Sequence, residues 1–206
     1  MPSRTVLSKW LDTIPCEPGI QHYFLSIIEK VVCSSSDRHR QCVLLFDEME
    51  ITKQYEYDRK LKRVFKSSKK VQVAMLRGLM EPWKQIIYFD FDKNMDKALL
   101  TDIITTCQQY KVVVRAIAFD MGNHTLIKEL QILSCGKCFM ENPTYPEKKI
   151  HFCPDCPHCL KRLRDHLLDH GLKFPDGEGG FDEITKETFE QLIREDKNEL
   201  KICPKI

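Results

Sequence analysis

The chain is poor in the residues that mark non-globular sequences. Its 206 residues include only 8 Gly and 10 Pro, too few for a collagen-like or linker-like polymer. No apolar run reaches the roughly 18 residues that a membrane-spanning helix needs. Neither sign of charge prevails: 32 Lys and Arg face 30 Asp and Glu, a balance of +2. That excludes a histone-like polycation and an acidic solvating tail, and leaves local patches open. The opening MPSRTVLSKWLDTIPCEPG lacks a signal-peptide core, because Lys9 and Asp12 interrupt it. A protein without a membrane partner, nuclear or cytoplasmic rather than secreted, is expected. With 42% hydrophobic and 30% charged residues, the composition is that of an ordinary globular protein, about one domain and a fraction long.

Cysteine, by contrast, is plentiful: there are 10. Without a secretory signal, grouped cysteines point to free thiols or metal before disulfides. Cys135-Gly-Lys-Cys138 and Cys153-Pro-Asp-Cys156 form two C-x-x-C steps, and four thiolates so spaced are a candidate tetrahedral Zn²⁺ set. His151 and His158 are spare ligands. The competing reading is that Cys153 lies on an apolar strand and Cys159 on the apolar side of a helix, ordinary places for a free thiol.

Hydrophobic periodicity gives the outline. Residues 6–33 read as mostly helical, with Phe24, Ile27, Ile28 and Val31 at helical spacing. The five apolar residues Cys42 to Phe46, stopping at Asp47, predict a strand in the middle of a sheet. A second strand over 49–57, a basic hairpin connection over 59–70, and strands in VQVAMLRGLM and WKQIIYFDF extend an antiparallel part. A helix over 95–110, a buried strand over 112–120, a helix over 121–133 and a strand over 149–155 follow. A helix over 159–171, capped by Gly171, and a polar helix near 182–198 close the chain. Sheet elements first and helix-separated strands after imply a mixed α/β sheet with helices packed on it, the order expected of an RNase H-like fold.

Two carboxylates stand out. Asp47 follows the apolar run LLF and Asp120 follows IAF. Central parallel strands share their carboxyl edge, so the two acids are expected together there. Paired carboxylates repel unless a cation lies between them, and Mg²⁺ prefers such oxygen ligands. Two metal ions in such a site activate an attacking oxygen and stabilise a leaving one on phosphorus. The simpler alternative is that each Asp begins a turn, with Asp120 an N-cap for the helix that follows.

The runs CVLLFDEMEITKQYEYD, PWKQIIYFDF, VVVRAIAFDMGNHT and KKIHFCPDCPHCLKRLRDHLLDHG, in that order, resemble the P element transposase family, which includes THAP-domain-containing relatives. The segments LSKWLDTIPCEPGIQ and LKICPKI resemble it as well, so the likeness runs along nearly the whole chain. It implies an RNase H-like five-stranded mixed sheet over 34–155, preceded by a helical extension over 1–33. Residues 156–206 would then begin a helical insertion domain that binds GTP in the family. The likeness also implies metal-dependent DNA cleavage and strand transfer, with Mg²⁺ or Mn²⁺ as cofactor and DNA as partner. On this likeness Asp47 matches the first catalytic and metal-binding acid and Asp120 the second; the third lies beyond the insertion. The expectation is a truncated or domesticated derivative, inactive alone for want of that acid and with an incomplete GTP site. It departs from the family in lacking the THAP zinc finger, in a shortened connection between the second and third strands, and in Asp165 where Asn is common. The alternatives are a non-catalytic DNA- or protein-binding remnant, possible as a homo-oligomer, and a zinc-organised interaction module.

Other features carry less. The basic run 59–70 suits DNA phosphates, but solvated hairpin charge is the preferred reading, because only Phe65 interleaves as a stacking aromatic. Lys161, Arg162 and Arg164 make a second positive patch. His124 in the first turn of a helix is read as structural, and Trp10 and Trp83 as packing residues. FPDGEGGF lacks the Lys-Ser/Thr of a phosphate-binding loop.

Overall fold

The computed structural model of the chain describes residues 3–33, 36–58, 62–120, 122–132 and 136–195. Helix α1 (Arg4–Thr13), a two-residue strand β1 (Gly19–Ile20) and helix α2 (His22–Cys33) come first. Strand β2 (Gln41–Glu50) precedes a small hairpin of β3 (Glu56–Asp58) and β4 (Arg63–Phe65), then β5 (Lys70–Gly78) and β6 (Lys84–Phe91). Helix α3 (Lys97–Gln109), strand β7 (Val113–Phe119), helix α4 (His124–Leu130), and strands β8 (Phe139–Glu141) and β9 (Lys149–Pro154) follow. The chain forms two compact units, Met1–Pro154 and Asp155–Ile206. The second contains α5 (Cys156–His170), a hairpin of β10 (Leu172–Pro175) and β11 (Phe181–Ile184), and α6 (Lys186–Glu195).

In the first unit seven strands form one mixed sheet in the order β1-β6-β5-β2-β7-β9-β8. Its middle holds β6, β5, β2, β7 and β9, which match five of the strands read from the sequence; the strand expected over 49–57 is not among them. Strands β6, β5 and β2 are antiparallel, whereas β7 joins β2, and β9 joins β7, in parallel. The short β1 and β8 close the two edges, and short edge strands limit unwanted pairing.

Strand alternation decides which face becomes core. On β2, Cys42, Leu44 and Phe46 are buried while Val43 and Leu45 are half-buried. Opposite them on β5 lie Leu76 and Ala74, both fully buried. Helices α2, α3 and α4 supply Leu25, Ile28, Leu100, Ile103, Ile104 and Leu126 to this same cluster. Helix α3 starts where the Asp96 side chain accepts the Leu99 N–H at 2.8 Å, and α4 where Asn123 accepts the Leu126 N–H at 3.1 Å. Gly78 is required by packing, since a Cβ there would lie 2.5 Å from Trp83 Nε1. Trp83 thus closes the β5–β6 turn against the core, as its packing assignment anticipated.

Several local expectations shift. The buried stripe of α2 is Leu25, Ile28 and Val32; Ile27 and Val31 are exposed. The sheet lies one helical position round from the stripe read off Phe24, Ile27, Ile28 and Val31. No strand spans 49–57: β2 itself runs on to Glu50, and strand resumes only at Glu56. The helix expected over 121–133 is shorter, because Asn123 caps it late and Gln131 ends it in a left-handed conformation (φ 52°). The side chain of Trp10, together with Arg59, Lys60 and Cys135, lies outside the described residues.

The second unit is thinly packed. Gly171 ends α5 with φ 70°, and a Cβ there would approach the Ile184 carbonyl to 2.9 Å. Asp176 accepts the N–H groups of Glu178 and Gly180 at 2.8 and 2.9 Å, which folds the FPDGEGGF turn. Helix α5 buries no residue, and Leu160, Leu163 and Leu168 are exposed.

Among the described residues, Tyr88 Oη is a buried hydroxyl without a hydrogen-bond partner. Burial, aided by Asp90 and Asp96, pushes its pKa up to about 12. Removing an unpaired polar group is close to neutral or favourable, so Tyr88→Phe is expected to leave the urea midpoint unchanged or raise it. Leu44→Ala should lower stability by about 2–5 kcal/mol through the cavity it leaves. The linkage has a definite sign. Tyr88 stays protonated in the fold while the unfolded chain ionises near its ordinary value, so stability falls as pH rises from about 10 towards 12. In urea melts at successive pH values, Tyr88→Phe should flatten that part of the fall.

Candidate functional site

The carboxyl end of the parallel pair β2–β7 carries the site. Cα partners run from Gln41 opposite Val113 to Phe46 opposite Phe119, with one irregularity between Cys42 and Val43. Phe46 and Phe119 are both buried and stack with centroids 5.4 Å apart. Asp47 and Asp120 each stand one residue beyond this stacked pair, on strands whose spacing is about 4.8 Å. Alternation takes Asp47 off the buried row, and it is exposed; Asp120 is half-buried. Both line one cleft of about 520 Å³. The structure therefore brings the two sequence-predicted acids to the same cleft.

Their surroundings hold the backbone in place. The Asp47 carboxylate accepts the Glu48 N–H at 2.8 Å. Asp120 accepts the Gly122 N–H at 3.2 Å, a local turn contact, while the N-cap of α4 is Asn123. Asn123 also donates its side-chain amide to the Met95 carbonyl at 2.8 Å, tying the start of α4 to the segment before α3. His124 is exposed on the cleft wall, the first residue of α4.

Glu48, Glu50, Gln72 and Asn94, not singled out from sequence, and Lys70, the last residue of the basic run 59–70, complete much of the lining. Lys70 Nζ meets Glu48 Oε2 at 2.9 Å, and this hydrogen bond and charge raise the Lys70 pKa. Four carboxylates thus share the cleft with one lysine. Gln72 is buried in the row of Ala74 and Leu76 and donates its side-chain amide to the Asp47 carbonyl at 2.9 Å. Its Oε1 has no hydrogen-bond partner. A single Gln inside the apolar run VQVAML was the available signal, because a polar residue in a buried row needs a reason.

The other candidates are not assembled here. Among the described residues no group of three or more His, Cys, Asp or Glu side chains is placed to share a metal ion. Of the four zinc candidates, Cys138, Cys153 and Cys156 are exposed and in no disulfide, and Cys135 lies outside the described residues. Cys138 and Cys153 belong to the first unit and Cys156 to the second. Cys42 and Cys107 are buried thiols; burial pushes Cys107 up to about 12 and raises Cys42 well above its ordinary value, with Cys107 adding to the rise. On α5, Arg164 is paired with its neighbour Asp165. No helix among the described residues is long and apolar enough to cross a membrane.

Gln72 allows a direct test of the site's scaffold. Gln72→Ala deletes the bond to the Asp47 carbonyl and leaves a void, and is expected to destabilise by about 1–3 kcal/mol. Gln72→Met keeps the volume and removes the unpaired Oε1, so its cost should stay under about 1.5 kcal/mol. Paired urea melts measure both.

Comparison with known proteins places this arrangement. Residues 16–131 match the family described as TNP-like, RNase H N-terminal domain. The chain is 34% identical, over its whole length, to the Transposable element P transposase of Drosophila melanogaster, and the match covers 27% of that protein. It superposes on the Drosophila P element transposase strand transfer complex with a TM-score of 0.83 and 33% identity, covering all of this chain and 46% of that one. The chain therefore spans about a quarter of the curated relative and under half of the solved one. With a mixed sheet of RNase H-like type and a family match over more than half its length, the chain belongs to the TNP-like RNase H N-terminal domain family, and it is P element transposase-like.

Proposed function

We propose that this chain provides the acidic half-site of a DNA-cleaving and strand-joining centre, in which Asp47 and Asp120 hold Mg²⁺ or Mn²⁺ against a DNA phosphate. The observation that carries this reading is their common cleft at the carboxyl edge of adjacent parallel strands. The donor set suits the ion: carboxylate oxygens are the ligands that hard divalent cations take, usually with waters in the remaining positions. The surroundings argue the same way. Asp47, Glu48, Glu50 and Asp120 line the cleft against Lys70, and an anionic DNA strand approaches such a surface only with positive charge interposed. A bound divalent cation would there polarise a phosphodiester and favour an oxygen nucleophile.

The chain's own residues have separable tasks in this reading. Gln72 and the Glu48 N–H fix the backbone and carboxylate of Asp47. Lys70 neutralises Glu48, so that the charge left to attract a cation is concentrated on the remaining acids. The Gly122 N–H steadies Asp120.

A plasmid-nicking assay tests the proposal. Mg²⁺ or Mn²⁺ should raise nicking above the level in EDTA. Asp47→Ala and Asp120→Ala should each cut the metal-dependent rate about a hundredfold or more, since a metal contributes several kcal/mol at the reacting phosphate. DNA binding without nicking in any variant would instead support a non-catalytic DNA-binding role.

A further inference from the structure

Beyond the acidic cleft the chain changes sign. Between Thr52 and Lys69 the sequence carries seven Lys and Arg against Glu56 and Asp58. Within it β3 pairs with β4, Tyr57 opposite Val64 and Asp58 opposite Arg63. Tyr55 and Tyr57 lie within this segment, just before Arg59. Tyr55 is 74% exposed and Tyr57 57% exposed. The Arg63 guanidinium lies 4.5 Å over the Phe65 ring, and Phe65 packs on Phe91 at 5.8 Å. Tyr57, Arg63, Phe65 and Lys66 face an open cleft of about 1480 Å³ that reaches Phe89 and Phe91 on β6. Two acids also line it, Asp58 and Asp90, and Asp90 is paired with Lys93 at 2.8 Å.

This cleft adjoins the acidic one. Glu50, which lines the acidic cleft, ends β2 three residues beyond Asp47, about 10 Å along at strand rise. Ile51, the next residue, lines the hairpin cleft.

We infer that the hairpin cleft binds unpaired nucleotides of a DNA strand, with Tyr57 in the cleft and the exposed Tyr55 two residues before it as stacking surfaces, and Arg63 and Lys66 as phosphate contacts. The inference rests on the proposal that DNA is the partner, and specifies which form of it enters and where. Flat exposed rings interleaved with cations are the chemistry that holds single strands, because every base presents a π-face once it is unstacked. A duplex hides those faces and would use the cations alone. The placement also has a consequence: a strand stacked here lies beside the carboxylates that would act on it.

The test uses the full chain and a fluorescein-labelled 20-nucleotide mixed-sequence DNA, single-stranded and as its duplex, titrated in EDTA so that no metal site contributes. Single-strand binding at least tenfold tighter than duplex binding is expected. Tyr55→Ala with Tyr57→Ala should weaken it at least fivefold, in line with the stacking contribution of one base, and Tyr55→Phe with Tyr57→Phe should restore it. Single-strand binding by the parent chain with no metal-dependent nicking would refute the catalytic proposal and not this one. Because both tyrosines are exposed, their variants should keep the parent's thermal transition. Equal affinity for single strand and duplex, binding indifferent to the tyrosines, or no binding by the folded chain would each overturn the inference.

Discussion

The parallel pairing of β2 with β7 is the constraint on which the site depends. Each strand ends its apolar run in Phe followed by Asp, and the register sets Phe46 against Phe119. The stacked rings lie in the buried core of the first unit, packed with Phe152 on β9 as a third aromatic. A slip of one residue would turn buried side chains to the wrong face, so the apolar pattern itself defends the pairing of the acids. Hydrophobic burial, which recognises no ligand, thus places both acids on one cleft.

Those charges are tolerated because they lie at the rim. Asp47 is exposed, each acid accepts one nearby N–H, and Glu48 is matched by Lys70. A fully buried cluster of this kind would shift its pKa values or fail to form. Beyond the rim the chain turns positive within a few residues. An acidic cleft beside a basic, aromatic hairpin gives this end of the sheet two surfaces of opposite sign.

Much of this was legible in the sequence. The continuous run Cys42–Phe46 announced a central strand, and the recurrence of a Phe-Asp step after Ile117-Ala118 announced its parallel neighbour. Both signals are local and strong, because a strand buried among others tolerates only apolar residues. The seven-stranded extent was less visible: β1 and β8 have two and three residues, too short for any period to register. The face of α2 was misread because its apolar residues span more than one stripe, and only packing against the sheet chooses Leu25, Ile28 and Val32. Gln72 was passed over because its reason, the Asp47 carbonyl 2.9 Å away, belongs to a different strand. Tyr55 and Tyr57 stand just before the basic run, but the strand expected over 49–57 set them apart from it, and only the β3–β4 hairpin puts Tyr57 across from Val64.

The central claim is that Asp47 and Asp120 serve one ion together. Mn²⁺ binding followed by electron paramagnetic resonance, across wild type, Asp47→Asn, Asp120→Asn and the double variant, tests it most directly. If the two carboxylates share an ion, either single substitution should remove nearly all the affinity that the double variant loses, a strongly non-additive cycle. Independent losses that sum to that of the double variant, or Mn²⁺ binding that survives both substitutions, would contradict the account.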